Sequence, residues 1–363
     1  MYKFLLRTLP RQASLIPTLG HSSSSSNRRN TSSQTANTQQ IDAMERYDRN
    51  RQWRRPKDGQ GHVNNDSSFK VVSYNILAQD LLIEHFHLYG QNGTNCLNWR
   101  RRLQNIQREI LTLDPDILCL QEMQYDHICD LLRGLRVGNG KKLEYIYKKK
   151  TGHRTDGCAI IYDACKFQLL DQRPVEFYDE NVKLLNRENV ALLAKLALKG
   201  QKKEFIVATT HLLYNPKRDD VRCAQVTRLL EELQTFSVDP KSGQITPIVL
   251  TGDFNSLLDS PAIEVLTTQV PWHSSADKPE KMLKFEAVHM GPPGPHRVAS
   301  TRQDDWITVD YILRSLSDKS QHQLQVASIY GLPTVNICYR VGPIPNHYLG
   351  SDHYALGVVF NLV

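Results

Sequence analysis

The stretch PIVLTGDFNS, residues 247–256, decides how this chain is read. Its first part, Pro247 to Leu250, is a short apolar run of strand-forming residues. An acid and an amide, Asp253 and Asn255, stand at the end of that strand. A carboxylate beside a buried strand is costly unless a partner or a metal ion holds it. One such residue says little, but the pattern recurs.

Further strands read at FKVVSYNILA (69–78), DILCLQE (116–122), GCAIIYD (157–163), VALLAKLAL (190–198), EFIVATTHLL (204–213), WITVDYILR (306–314) and ALGVVFNLV (355–363). Helical periodicity lies between them. One helix covers about 97–113, with Leu103, Ile106, Ile110 and Leu113 on one face, and stops at Asp114-Pro115. A second covers about 218–236, and a short third follows Ser260-Pro261. Many of the strands are unbroken apolar runs, so both of their faces should be covered. Eight strands strain a single twisted sheet, which favours two packed sheets in a layered α/β domain.

Bulk properties agree. The 363 residues are 40% hydrophobic and 23% charged, as in ordinary globular proteins. No apolar run approaches the roughly 18–20 residues of a membrane span. Seven cysteines without CxxC spacing read as reduced and structural. The net charge of +7 sits almost wholly in residues 1–66, which hold eleven Lys/Arg and five acids, so it says little about the rest. Residues 1–66 read as a disordered basic extension, and 67–363 as the catalytic domain. The acid-free, Ser-rich start resembles a mitochondrial presequence, so the expected location is mitochondrial or cytoplasmic, not secreted. Within RNRQWRRPK (49–57), Trp53 is read either as part of a solvated linker or as stacking on an RNA base.

The polar residues at strand ends carry the chemistry. They are Asn75, Glu122, His211, Asp253, Asn255, Asp310, Asp352 and His353. Open α/β sheets place their sites at strand ends. Walker and Rossmann glycine loops and a GxSxG nucleophile are all missing from the sequence. A few oxygen ligands with two histidines suit Mg²⁺, or Mn²⁺ in its place, rather than zinc. Mg²⁺ held by few carboxylates points to phosphoester chemistry.

Seven segments in this order, SYNILAQDLL, LCLQE, TDGCAIIY, ATTHLLYNP, LTGDFNS, TVDYIL and GSDHYAL, resemble the endonuclease/exonuclease/phosphatase superfamily. Within it they are similar to the deadenylase–nocturnin group, and most of all to its Angel branch. The resemblance implies a DNase I-like four-layer α/β sandwich, with two packed mixed β-sheets flanked by helices. It implies Glu122, Asn75 and Asp352 at the metal, one ion or two. Asp253 would activate water, Asn255 and His211 would contact the phosphate, and His353 would meet it as an imidazolium held by Asp310. Pro216 matches a proline that relatives stack against a base. Trp306, in TRQDDW, is expected at the substrate with Pro216, though it stands in a slightly different register from the deadenylases' aromatic. The implied partner is an RNA 3′ end, with no membrane. The missing leucine-rich repeats remove the deadenylases' route into their large complex. Hydrolysis of a 2′,3′-cyclic phosphate is the leading expectation, and 3′→5′ exonucleolysis of poly(A) the alternative. A nucleotide-cofactor phosphatase or a non-catalytic RNA-binding adaptor stays open.

Overall fold

The computed structural model describes residues 42–56, 67–268, 283–288, 297–317, 319–320 and 322–363; the expected presequence lies outside them. Helix α1 (residues 42–50) and strand β1 (Trp53–Arg54) come first. Then follow β2 (Ser68–Asn75), α2 (Gln79–Glu84), α3 (Trp99–Leu113), β3 (Ile117–Gln124), α4 (Ile128–Asn139), β4 (Leu143–Lys149), β5 (Asp156–Asp163) and β6 (Phe167–Glu176). The second half contains β7 (Val190–Leu198), β8 (Glu204–His211), α5 (Asp219–Ser237), β9 (Ile248–Asp253), α6 (Pro261–Thr268) and β10 (Lys284–Ala287). It ends with β11 (Thr301–Arg302), β12 (Trp306–Ile307), β13 (Asp310–Leu316), β14 (Leu324–Tyr330), α7 (Val335–Val341) and β15 (Leu356–Leu362).

The strands form a seven-stranded sheet, β1-β14-β15-β2-β3-β5-β4, and a six-stranded sheet, β10-β13-β9-β8-β7-β6. Strand residues alternate between two apolar layers, which is why the runs are unbroken. Val71, Cys119, Val207 and Val249 enter the core between the sheets. Their neighbours Val72 and Leu118 face α3 and α4, while Ile206 and Leu250 face α5 and α6. The rings of Phe69 and Phe205 stack at 4.3 Å and join the two sheets. The result is the expected four-layer sandwich.

The folded unit begins at Ala43, so the boundary expected at residue 67 is too late. Ala43, Met44 and Tyr47 are buried on one face of α1. Arg51 follows at the same spacing, and its fully buried guanidinium lies 3.7 Å from Glu109 on α3. It also donates to the backbone carbonyls of Gly331 and Ala355. Trp53 is half-buried and packs 5.4 Å from the Tyr330 ring, so it belongs to the folded unit rather than to a solvated linker. The charge density of this segment hid its apolar face. All seven cysteines are free; Cys119, Cys158, Cys223 and Cys338 are buried, whereas Cys129 and Cys165 are exposed.

Each sheet holds one parallel pair, β2 with β3 and β8 with β9. Helical crossovers join them, α2 and α3 for the first and α5 for the second. Parallel strands end on the same side. Asn75, His211 and Asp253 are the last residues of β2, β8 and β9. Strand β13 runs antiparallel to β9 and begins with Asp310, directly opposite Asp253. Strand β15 runs antiparallel to β2, and His353 precedes its start. The topology thus gathers six strands' chemistry on one rim.

Candidate active site

Asn75 joins the two sheets at this rim. Its Nδ2 donates to Glu122 Oε1 and to Asp253 Oδ2, both at 3.0 Å. Its Oδ1 accepts from the Leu77 N–H at 3.1 Å. Asn75 was expected as a metal ligand; in this arrangement it acts first as a donor that binds two carboxylates together. Below it, Gln121 Nε2 donates to Thr209 Oγ1 at 2.8 Å, a second polar link between the sheets.

Glu122 sits where the β3–β5 register shifts, with a left-handed φ of 57°. A side chain other than Gly or Asn is held there only by surrounding contacts. The contact here is direct: Glu122 Oε2 accepts from the Ala78 N–H at 3.0 Å. Leu77 and Asn255 also have positive φ, at 58° and 48°. Backbone strain therefore gathers around this cluster. Gly252 serves the same end. A Cβ there would lie 2.2 Å from the Thr210 carbonyl oxygen, so only glycine lets β9 present Asp253 beside β8.

Asp253 is 2% exposed and stands between two imidazoles. His211 Nε2 lies 3.6 Å from its Oδ2 and His353 Nε2 lies 3.7 Å away. Burial, then repulsion from Asp310, pushes its pKa up to about 7, against the opposing pull of His353, the Asn255 N–H and Asn75. His353 Nδ1 meets Asp310 Oδ2 at 2.8 Å. Burial alone would lower the His353 pKa, but the Asp310 charge and hydrogen bond raise it well above the ordinary imidazole value. His211 goes the other way: burial, with Lys150 and His353 repelling a proton, holds it neutral. Two histidines thus take opposite protonation states. Asn255 donates from Nδ2 to the Leu212 carbonyl at 3.0 Å and from its N–H to Asp253 Oδ1 at 2.9 Å.

The ligand-type atoms of Asp253, Asp310 and His353 all lie within 4.8 Å of one another. Since Nδ1 of His353 is engaged by Asp310, and its Nε2 lies 3.7 Å from Asp253, this trio is an acid–imidazole pair beside a second carboxylate rather than a cation shell. Two further carboxylates, Glu122 and Asp352, repel each other. Burial, then the charge of Asp352, raises the Glu122 pKa, and Lys150 only partly offsets it. Lys150 itself is tied to Asp156 at 2.7 Å. Mutually repelling carboxylate oxygens beside an amide fit a hard divalent cation such as Mg²⁺. Asp352 Oδ2 accepts from the Tyr89 hydroxyl at 2.7 Å.

Eight of the ten sequence-predicted residues therefore converge, and the other two part company. Pro216 lines a cleft of about 340 Å³ that reaches Asn255 and includes Tyr214, Leu257 and Ile307. Trp306 does not reach it. The indole is 1% exposed and stacks on Tyr354 in the core between the sheets, with centroids 5.8 Å apart. The expectation of substrate contact is corrected by one residue of register: neighbouring strand residues face opposite sides, and Ile307 faces the cleft. Tyr89 and Ser351 were missed. Ser351 Oγ donates to the Asn75 carbonyl at 2.6 Å and accepts from the His353 N–H at 3.2 Å. Its place in GSDH was the only signal; nothing marked Tyr89.

The family model of the Endonuclease/Exonuclease/phosphatase family matches residues 72–353. The Protein angel of Drosophila melanogaster is 58% identical over 322 residues, 87% of this chain and 88% of that protein. Protein angel homolog 2 of Homo sapiens is 44% identical over 200 residues, 54% of this chain and 36% of that longer protein. Among solved structures, ANGEL2, a 2′,3′-cyclic phosphatase, in complex with adenosine-2′,3′-vanadate, aligns with a TM-score of 0.72 and 32% identity, covering 86% of this chain and 98% of that one. The human Nocturnin catalytic domain with bound sulfate shares the fold at a TM-score of 0.60 and 24% identity, over 86% of this chain and 97% of that one.

Proposed function

The chain belongs to the endonuclease/exonuclease/phosphatase family, in its Angel branch, and is a phosphoric ester hydrolase; from that premise we propose that it is Mg²⁺-dependent and opens the 2′,3′-cyclic phosphate at RNA 3′ ends. The observation that carries the reading is Asp253, a carboxylate near neutrality held between a neutral and a charged imidazole. That is the arrangement of a general base beside anion-stabilising donors. The likeness to a 2′,3′-cyclic phosphatase over nearly its full length supports the choice of substrate.

Glu122 and Asp352, with Asn75 between Glu122 and Asp253, would hold the cation, which when bound neutralises phosphate charge and polarises the phosphorus. Asp253 takes a proton from a water molecule in line with the scissile bond. The water oxygen bonds to phosphorus as the bond to one ribose oxygen breaks, and the freed oxygen takes a proton from solvent to become the ribose hydroxyl. His353 donates from Nε2 to a phosphoryl oxygen, while Asp310 keeps its Nδ1 proton and its orientation. Neutral His211 and the Asn255 amide add uncharged donors. The terminal nucleoside lies in the cleft beside Asn255, with its base against Pro216 and Tyr214.

The test is a set of RNAs ending in 3′-hydroxyl, 3′-phosphate or 2′,3′-cyclic phosphate, incubated with the protein and Mg²⁺ and resolved by mass. Loss of the cyclic phosphate with the chain length kept is expected. A ladder from the 3′-hydroxyl RNA would mean a 3′→5′ exonuclease instead. The mitochondrial reading of the first 41 residues is tested by locating tagged chains with and without them.

A further inference from the structure

Arg102 on α3 is 0% exposed, yet the oxygens that receive its protons are all uncharged. Nε donates to the Gly350 carbonyl at 2.8 Å, and Nη1 to Gln79 Oε1 at 2.9 Å. Nη2 donates to the carbonyls of Ile76, at 2.6 Å, and Leu77. Burying a guanidinium on backbone carbonyls is expensive unless the geometry it fixes is worth the cost. Burial does depress its pKa, to about 10, against the attraction of Asp352, Tyr89 and Glu122, so it stays charged at neutral pH.

Its acceptors belong to the two halves of the site. Ile76 and Leu77 form the turn after Asn75, where Leu77 has φ 58°. The N–H side of that turn is held by Asn75 Oδ1 and Glu122 Oε2. Arg102 holds its carbonyl side. Gly350 begins the loop that carries Asp352 and His353. That loop lies hard against α3: a Cβ on Gly350 would fall 2.4 Å from the Arg102 carbonyl oxygen and 2.6 Å from Ile106 Cγ1.

We propose that Arg102 is a positioning residue that fixes the spacing between the Asn75–Glu122 half of the site and the Asp352–His353 half. The rigid fork does this because one planar group sets all four acceptors at once. A lysine would keep the charge and lose the span. The proposal rests on those four residues being the reaction centre, and its test separates the two claims.

Full-length Arg102→Lys is compared with wild type by thermal melt, steady-state kinetics on the cyclic-phosphate RNA, and Mn²⁺ binding by electron paramagnetic resonance. The expected variant is folded, with kcat lowered about 10- to 100-fold and KM within about threefold, as when reacting groups are held but misplaced. Mn²⁺ affinity falls about tenfold or more, the scale of losing a partner behind a metal ligand. Gly350→Ala gives a second reading: it leaves the guanidinium in place, pushes the loop off α3, and should lower kcat in the same way. A folded Arg102→Lys with wild-type kcat and Mn²⁺ affinity would overturn the proposal. The Mn²⁺ measurement needs no RNA, so a wild type inactive on the cyclic phosphate would refute the substrate assignment while this arm still decides the role of Arg102.

Discussion

Oδ2 of Asp310 and Nδ1 of His353 lie 2.8 Å apart, both side chains buried, at the starts of two strands from different sheets. Each explains the other. A carboxylate inside an apolar strand needs a cationic partner, and a buried imidazole keeps a proton only beside a fixed negative charge.

Asp310→Asn should therefore lower the His353 pKa. The pH–rate profile should lose its alkaline side at lower pH, with the maximal rate down about 10²-fold, the scale of one acid–base group. An alkaline limb that stays in place would show that Asp310 does not keep His353 charged.

Asp253 predicts the acid side. With its pKa near 7, activity should rise with pH through neutrality. The same shift makes a stability claim. The folded pKa lies above the unfolded carboxylate value of about 4, so the group stabilises the fold below pH 4 and loses that contribution as pH rises through 7. In metal-free buffer, Asp253→Asn should thus raise Tm relative to wild type at pH 8 and lose that advantage at pH 4. Thermal melts at the two pH values check this.

Trp306 faces the core while Ile307 faces the cleft lined by Pro216 and Tyr214, so substitutions on the two sides should separate. Trp306→Ala should cost about 3–5 kcal/mol of stability through a core cavity, whereas Pro216→Ala and Tyr214→Ala should raise KM and leave Tm within a degree or two. Denaturant titration and steady-state kinetics distinguish these outcomes. A Trp306→Phe variant with wild-type stability but raised KM would return the indole to the substrate.

Much of this was legible because burial on both faces leaves a clear trace. The strands that carry the site, β2, β3, β8 and β9, are buried almost throughout, and each has an apolar stretch that leads to a polar site residue. Parallel pairing turns that linear pattern into one rim. The longer strands that escaped reading, β4, β6 and β14, are partly exposed and mix polar with apolar residues. Strand β6 even contains Pro174, which an edge position tolerates. Trp306 failed for a different reason: the family resemblance places an aromatic near the site but does not say which face of a two-residue strand it occupies. Arg102 left no trace, since an arginine on a basic helix looks solvated until its carbonyl partners are seen.

The N-terminal segment supplies a stability prediction. Arg51→Met should strand Glu109 beside Tyr47 and Tyr74, whose hydroxyls lie 3.4 and 2.8 Å from its oxygens. An uncompensated buried charge costs about 3–5 kcal/mol. The double variant Arg51→Met with Glu109→Gln should recover part of that loss in a denaturant melt. No recovery would mean that Arg51 acts through its carbonyl contacts alone.

The central claim is that Asp253 directs water onto a cyclic phosphate. It is tested most directly by single-turnover reaction of a short RNA ending in 2′,3′-cyclic phosphate, in Mg²⁺ and oxygen-18 water, with wild type and Asp253→Asn. The account predicts ring opening with water oxygen on the phosphorus, slowed at least about 10²-fold in the variant. An untouched cyclic phosphate, or a variant that retains more than about a tenth of the wild-type rate on that same scale, would contradict it.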